Sequence, residues 1–272
     1  MPFTKTQSVL KGILPEQWFV TIYRIATQFY NALTKISDKV FYISSYILYL
    51  LKDDSKNAIK MQRIYSILPY TMVGRSGLLT TYDLASKIER DKIEGCFVEC
   101  GVASGGCSAL MAMVAKKSRQ TWLFDSFEGL PDPTIEDTAD ITNPLWEDRH
   151  SPTLSKGYCL GTYDEVDRLL FSKLRLSRAN IFMVKGWFQD TLPEYKDKVG
   201  DISFLRIDGD WYESTKCCFE NLYDNVISGG YIFIDDYSLE GCKKSVDEFL
   251  REKGVHAGLT FDNRGGAYFV KP

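Results

Sequence analysis

Five short apolar runs, at 96–100, 121–125, 181–184, 202–207 and 231–234, constrain this chain more than any other feature, because most are followed by a helix-length stretch. Strand–helix alternation of this kind argues for an α/β fold, a doubly wound and mostly parallel sheet with helices on both faces. Two further apolar runs, 258–261 and 267–270, flank Asp262-Asn263-Arg264-Gly265-Gly266 and predict a C-terminal antiparallel hairpin. Ahead of the first strand, 15–66 reads as helices rich in aromatic residues, with a polar break at 52–56. The expected organisation is a helical N-terminal extension over 1–66, serving as a cap or oligomerisation arm, and one α/β domain over 67–272. A long insertion after the second strand, at about 130–160, sits where ligands of open sheets bind and predicts a substrate-facing lid.

Charge and cysteine usage remove several classes of function. The formal net charge of −3 gives no electrostatic reason to expect a nucleic-acid partner. Seven cysteines without a zinc-like C-x-x-C pair suit a reduced, cytoplasmic compartment better than a disulfide framework. The first residues, MPFTKTQSVLKG, lack the apolar core of a signal peptide. The greasiest stretch, 40–51, is shorter than the roughly 20 residues of a membrane span. It reads as a packed or dimer-forming helix, so a homodimer is expected, with membrane contact limited to peripheral attachment.

Three constellations carry chemistry. Phe97-Val98-Glu99-Cys100-Gly101-Val102-Ala103-Ser104-Gly105-Gly106 runs a strand into a glycine-rich turn, which lets backbone approach a ligand closely. Its spacing is not the G-x-G-x-x-G of dinucleotide sites, which counts against a nicotinamide oxidoreductase. Glu99 would repel a phosphate but suits the amino group of a methionine moiety. Asp125 ends the second strand, 26 residues after Glu99, where a carboxylate can accept from both ribose hydroxyls. Asp208 ends the fourth strand, and Asp235-Asp236 ends the fifth. If those strands are neighbours, the three carboxylates meet, and such crowding calls for a hard cation such as Mg²⁺ or Mn²⁺. Asp210, past the strand end, reads as a supporting group rather than a ligand. His150, inside the expected lid, is the candidate general base.

Taken together, these motifs resemble the macrocin O-methyltransferase (TylF) family of metal-dependent sugar methyltransferases. The resemblance spans about 70–249, and its other strong pieces are Tyr70-Thr71-Met72-Val73-Gly74-Arg75, Lys185-Gly186-Trp187-Phe188-Gln189-Asp190 and Leu205-Arg206-Ile207-Asp208-Gly209-Asp210. It implies a class I methyltransferase (Rossmann-like) fold that binds S-adenosylmethionine at the strand ends. Thr71, Met72 and Val73 would line the methionine end, Glu99 and Gly101 the amino-acid group, and Asp125 with Ser126 the ribose. Phe188, Gln189 and Asp190 would border the adenine, and Asp208, Asp235 and Asp236 would be the metal ligands. The implied acceptor is a hydroxyl of a sugar or glycosylated natural product. A catechol-like diol would suit the same metal, and a non-catalytic scaffold is the reading from a different class.

Overall fold

The computed structural model describes residues 16–137 and 156–272. Its centre is a seven-stranded sheet in the order β3-β2-β1-β4-β5-β7-β6. The strands are β1 Cys96–Cys100, β2 Thr121–Asp125, β3 Ile181–Lys185, β4 Ile202–Ile207, β5 Val226–Ile234, β6 Thr260–Phe261 and β7 Ala267–Val270. Strands β1 to β5 pair in parallel, and β7 runs antiparallel to both β5 and β6. The doubly wound α/β class and its terminal hairpin are therefore as the alternation predicts. Strand β5 begins five residues earlier than its apolar run, because Gly229 and Gly230 interrupt the hydropathy while the chain stays paired around an irregular register with β4.

Both faces of the sheet are covered, and period-two alternation sorts the side chains between them. Val98, Trp122, Phe124, Leu205 and Ile232 point into one core. That core is closed by α6 (Phe188–Val199), α7 (Tyr212–Leu222) and α8 (Glu240–Glu252), which bury Leu192, Phe219 and Val246 there. Phe97, Phe204 and Phe233 point the other way, onto α3 (Arg75–Arg90) and α4 (Gly106–Val114). A short helix, α5 (Tyr163–Asp167), continues as a wider turn over Arg168–Lys173 and adds Leu169 and Leu170 to that side.

Two further helices lie outside α3 and α4: α1 (Glu16–Leu51) and α2 (Ser55–Ile67). The polar break between them narrows to a turn because Asp54 caps α2, accepting the Asn57 backbone N–H at 3.1 Å. Helix α1 is anchored by its inner face. Tyr42 is fully buried, and Arg75 on α3 grips Asp38 at 2.8 Å while stacking on the Phe41 ring at 3.9 Å. Among the described residues, no helix is long and apolar enough to cross a membrane.

Candidate active site

A cavity of about 940 Å³ opens over the carboxyl ends of β1, β2, β4 and β5. This is where an open parallel sheet binds ligands. On one side the chain leaves β1 through Gly101, whose φ of +93° belongs to glycine. A Cβ at Gly101 would run into the backbone carbonyl of Asp208, so the glycine also lets β1 and β4 exit side by side. Gly106 opens α4 against the Tyr70 carbonyl, which brings Thr71, Met72 and Val73 to the cavity wall.

Asp125 braces this turn. One carboxylate oxygen accepts the backbone N–H groups of Val102 at 2.6 Å and Ala103 at 3.0 Å, and the other accepts that of Phe127 at 2.6 Å. Burial raises its pKa, with those amide bonds working against the rise. Ser126 accepts from the Glu128 backbone N–H at 3.1 Å and lines the cavity beside Asp125. On the far wall Phe188 and Gln189 are exposed to the cavity. Asp190 is not. It is solvent-exposed and absent from the lining, because each further helical residue turns by about 100° away from the wall. His150 lies outside the described residues.

The acids converge through a residue that motif reading passed over. Arg206 stands inside β4, fully buried, paired in register with Glu99 on β1 and Phe233 on β5. Its guanidinium donates to Glu99 Oε1 at 2.8 Å and Asp208 Oδ2 at 2.7 Å, and contacts Asp235 Oδ1 at 2.8 Å. A charged side chain in the middle of an otherwise apolar run was the available signal. Ser108 on α4 donates to the other Glu99 oxygen. Burial pushes Glu99 up to about 7 despite the guanidinium beside it.

Neighbouring strands β4 and β5 bring Asp208 and the Asp235-Asp236 pair to one edge, with Ile207 and Ile234 in register just before them. The pair does not act as a unit. Consecutive residues leaving a strand diverge to opposite faces, so Asp235 turns toward the arginines and Asp236 away from them. Asp235 Oδ2 accepts from Arg264 at 2.7 Å. Arg264 is aimed from the β6–β7 turn, which Asp262 ties down by accepting the N–H groups of Arg264, Gly265 and Gly266. The oxygen atoms that gather within 4.8 Å of one another are those of Asp208, Asp210 and Asp236. Among the described residues Asp210 thus gathers with Asp208 and Asp236, while Asp235, one of the three acids expected from the sequence, faces Arg206 and Arg264.

This cluster fits a hard cation. Asp236 Oδ2 is buried without a hydrogen-bond partner among the described residues. Burial, then the charges of Asp210 and Asp208, hold Asp236 well above the usual carboxylate range. Asp210 is raised in the same way by burial and Asp208. Burial also opposes ionisation at Asp208, yet the charge of Arg206 and a hydrogen bond with Asp236 draw its pKa down. Oxygen-only donors of this kind select Mg²⁺, Mn²⁺ or Ca²⁺ over zinc.

The remaining wall hangs on Asp137, also missed in the sequence. It is fully buried, and its carboxylate accepts the Tyr212 backbone N–H at 2.8 Å, at the first residue of α7. It also accepts the Thr134 backbone N–H and hydroxyl at 2.8 and 2.9 Å. A Cβ at Gly241 in α8 would collide with it, so this one carboxylate sits against the starts of two helices, where their dipoles favour negative charge. The segment it holds carries Pro131, Asp132 and Thr134 to the cavity, and Trp211 bonds the Pro131 carbonyl at 3.3 Å. Asp137→Ala is expected to cost about 2 kcal/mol and lower Tm by roughly 4–8 °C. An unchanged melting curve would remove this role.

The family model for macrocin-O-methyltransferase (TylF) matches residues 51–271. Demethyldecarbamoylnovobiocin O-methyltransferase of Streptomyces niveus is 31% identical over 207 residues, covering 74% of this chain and 76% of that protein. The 8-demethyl-8-(2,3-dimethoxy-alpha-L-rhamnosyl)-tetracenomycin-C 4'-O-methyltransferase of Streptomyces olivaceus is 30% identical over 71% of this chain and 72% of its own. Among solved structures, that of the O-methyltransferase NovP superposes with a TM-score of 0.64 at 30% identity, covering 74% of this chain and 82% of that one.

Proposed function

The chain belongs to the macrocin O-methyltransferase (TylF) family, and from that premise we propose that it methylates a hydroxyl of a sugar carried on a natural product, with a divalent cation at the acid cluster. It is an S-adenosylmethionine-dependent O-methyltransferase of the class I fold. The sugar rests on one observation above the others, that a relative 30% identical over most of both chains is named for methylating a rhamnosyl group. The convergence of Asp208, Asp210 and Asp236 supports the cation.

When bound, S-adenosylmethionine supplies an electrophilic methyl group, and a divalent cation supplies the charge that makes an acceptor hydroxyl more acidic. The chain's own residues orient the reactants. Thr71, Met72 and Val73 with Gly101 form the wall for the methionine end, Asp125 and Ser126 that for the ribose, and Phe188 with Gln189 that for the adenine. Asp208 and Asp236, joined by Asp210, would hold the cation. Pro131 and Trp211, joined through the Pro131 carbonyl, would border the acceptor. His150 is the proposed acceptor of the hydroxyl proton.

Titration of the metal-free protein with Mn²⁺, followed by calorimetry, tests the ligand set. Asp208→Ala and Asp210→Asn should abolish binding, and Asp235→Asn should weaken it less. The reverse order for Asp210 and Asp235 would restore the ligand set read from sequence. Methyl transfer to deoxysugar glycosides, absent with the bare aglycones, tests the acceptor. Transfer to a catechol and to no glycoside would overturn the sugar reading.

A further inference from the structure

The outer face of α1 carries Leu33, Ile36, Val40, Ile43, Ile47 and Leu50, each between 43% and 60% exposed. Their spacing alternates three and four residues, and Phe29, 64% exposed, continues it four residues upstream. This is the 3.5-residue repeat of a coiled-coil seam, held across three heptads, and Ile25, Leu48 and Leu51 of the same helix, also exposed, add to its apolar surface. The helix already has a resting face. Phe41, Tyr42, Tyr46 and Tyr49 pack inward, and Arg75 holds Asp38. The seam therefore serves something other than the fold of its own chain.

We propose that this seam is an interface with a second copy of the chain, formed by pairing α1 with the same helix of its partner. Roughly half of each seam side chain is exposed, on the order of 100 Å² apiece and 700 Å² per copy, which approaches the roughly 800 Å² per partner of a standard interface. An apolar patch of that size is more than a monomer ordinarily leaves in water. Seam helices mesh with helices of the same repeat, and a two-fold contact brings a copy of the same surface to itself. Beside the seam lie Ser37 and Ser44, both exposed and small enough to allow close approach of two backbones. A helix lying on lipid carries basic residues along its polar margin. Over 32–51 the lysines are only Lys35 and Lys39, within about one turn of each other.

Sedimentation velocity and light scattering on the full chain at about 20 μM test the pairing. The parent protein should show the mass of two copies or a higher assembly, and Ile36→Glu with Ile43→Glu should show the mass of one. Because both positions face outward and neither lines the cavity, the affinity for S-adenosylhomocysteine should stay within about twofold of the parent. If the charged pair disturbs folding, Ile36→Ser with Ile43→Ser gives the same readout. A parent mass of one copy overturns the proposal, as does a folded variant that keeps the parent's mass. So does a single-copy parent that floats with phosphatidylglycerol–phosphatidylcholine vesicles and loses flotation in the variant, which would make the seam a lipid-binding face.

Discussion

Replacing Arg206 with methionine should destabilise the protein by about 3–5 kcal/mol and lower Tm by roughly 10 °C, the largest effect expected of any single substitution here. The side chains are similar in length, so little packing is lost. What disappears is the positive charge that Glu99, Asp208 and Asp235 share inside a fully buried strand. Removing one member of a buried ionic network leaves the others without compensation, and carboxylates fare worst because they must desolvate and repel one another. Differential scanning calorimetry at pH 7 in chelator measures the loss. It should shrink toward pH 4, where the orphaned carboxyls take up protons. A Tm within 2 °C of the parent would mean that Arg264 carries the network alone.

Asp236→Asn should separate activity from stability. Turnover is expected to fall at least a hundredfold, since the cluster loses the buried oxygen that best fits a cation. The metal-free variant should nonetheless melt about 2–4 °C higher, for about 1 kcal/mol of relieved repulsion. The sign follows from linkage. Asp236 and Asp210 are held above the usual carboxylate range, by burial first and neighbouring charge second. Their contribution to folding is complete below about pH 3.9 and is lost as pH rises through their raised values. Glu99, pushed up to about 7, acts in the same direction. The gap in Tm between variant and parent should therefore widen from pH 5 to pH 8. Saturating Mn²⁺ should close or reverse it, because only the parent gains from the cation. A variant that melts lower at every pH would refute the charge-repulsion account.

Relief of repulsion in this cluster and loss of cation binding are two readings of one arrangement, and neither was fully legible in the motifs. The strand ends were legible. Glycine turn, carboxylate and apolar run recur at Glu99–Gly101, at Asp125 and at Asp208, and their order gives the sheet class and the ligand-binding edge before any contact is known. The pairing of β4 with β5 was required by the expected metal site, and the sheet order supplies it. The partners of each acid were not legible. Asp235 and Asp236 are identical in type and adjacent in sequence, and only the strand's alternation sends one to Arg206 and Arg264 and the other to Asp208 and Asp210.

Asp137 and Arg264 were hidden for a related reason. Each acts across a long stretch of chain, Asp137 on Tyr212 and Arg264 on Asp235; Asp137 sits in no periodic run, and the 262–266 turn predicts a hairpin but not the partner of Arg264. Local sequence encodes what a residue and its near neighbours do, which covers strand and helix choice, the turn that needs Gly101, and the chemistry a carboxylate offers. It determined that this chain folds as a doubly wound α/β sheet and which acids lie near its cleft, and the resemblance carried by its motifs added the methyltransferase class. Which guanidinium neutralises which acid, and which acids are left to gather around a cation, depended on side chains that meet only when β1, β4, β5 and the terminal hairpin lie side by side. Burial there multiplies the cost of an unpaired charge, so a displacement of one residue decides its role.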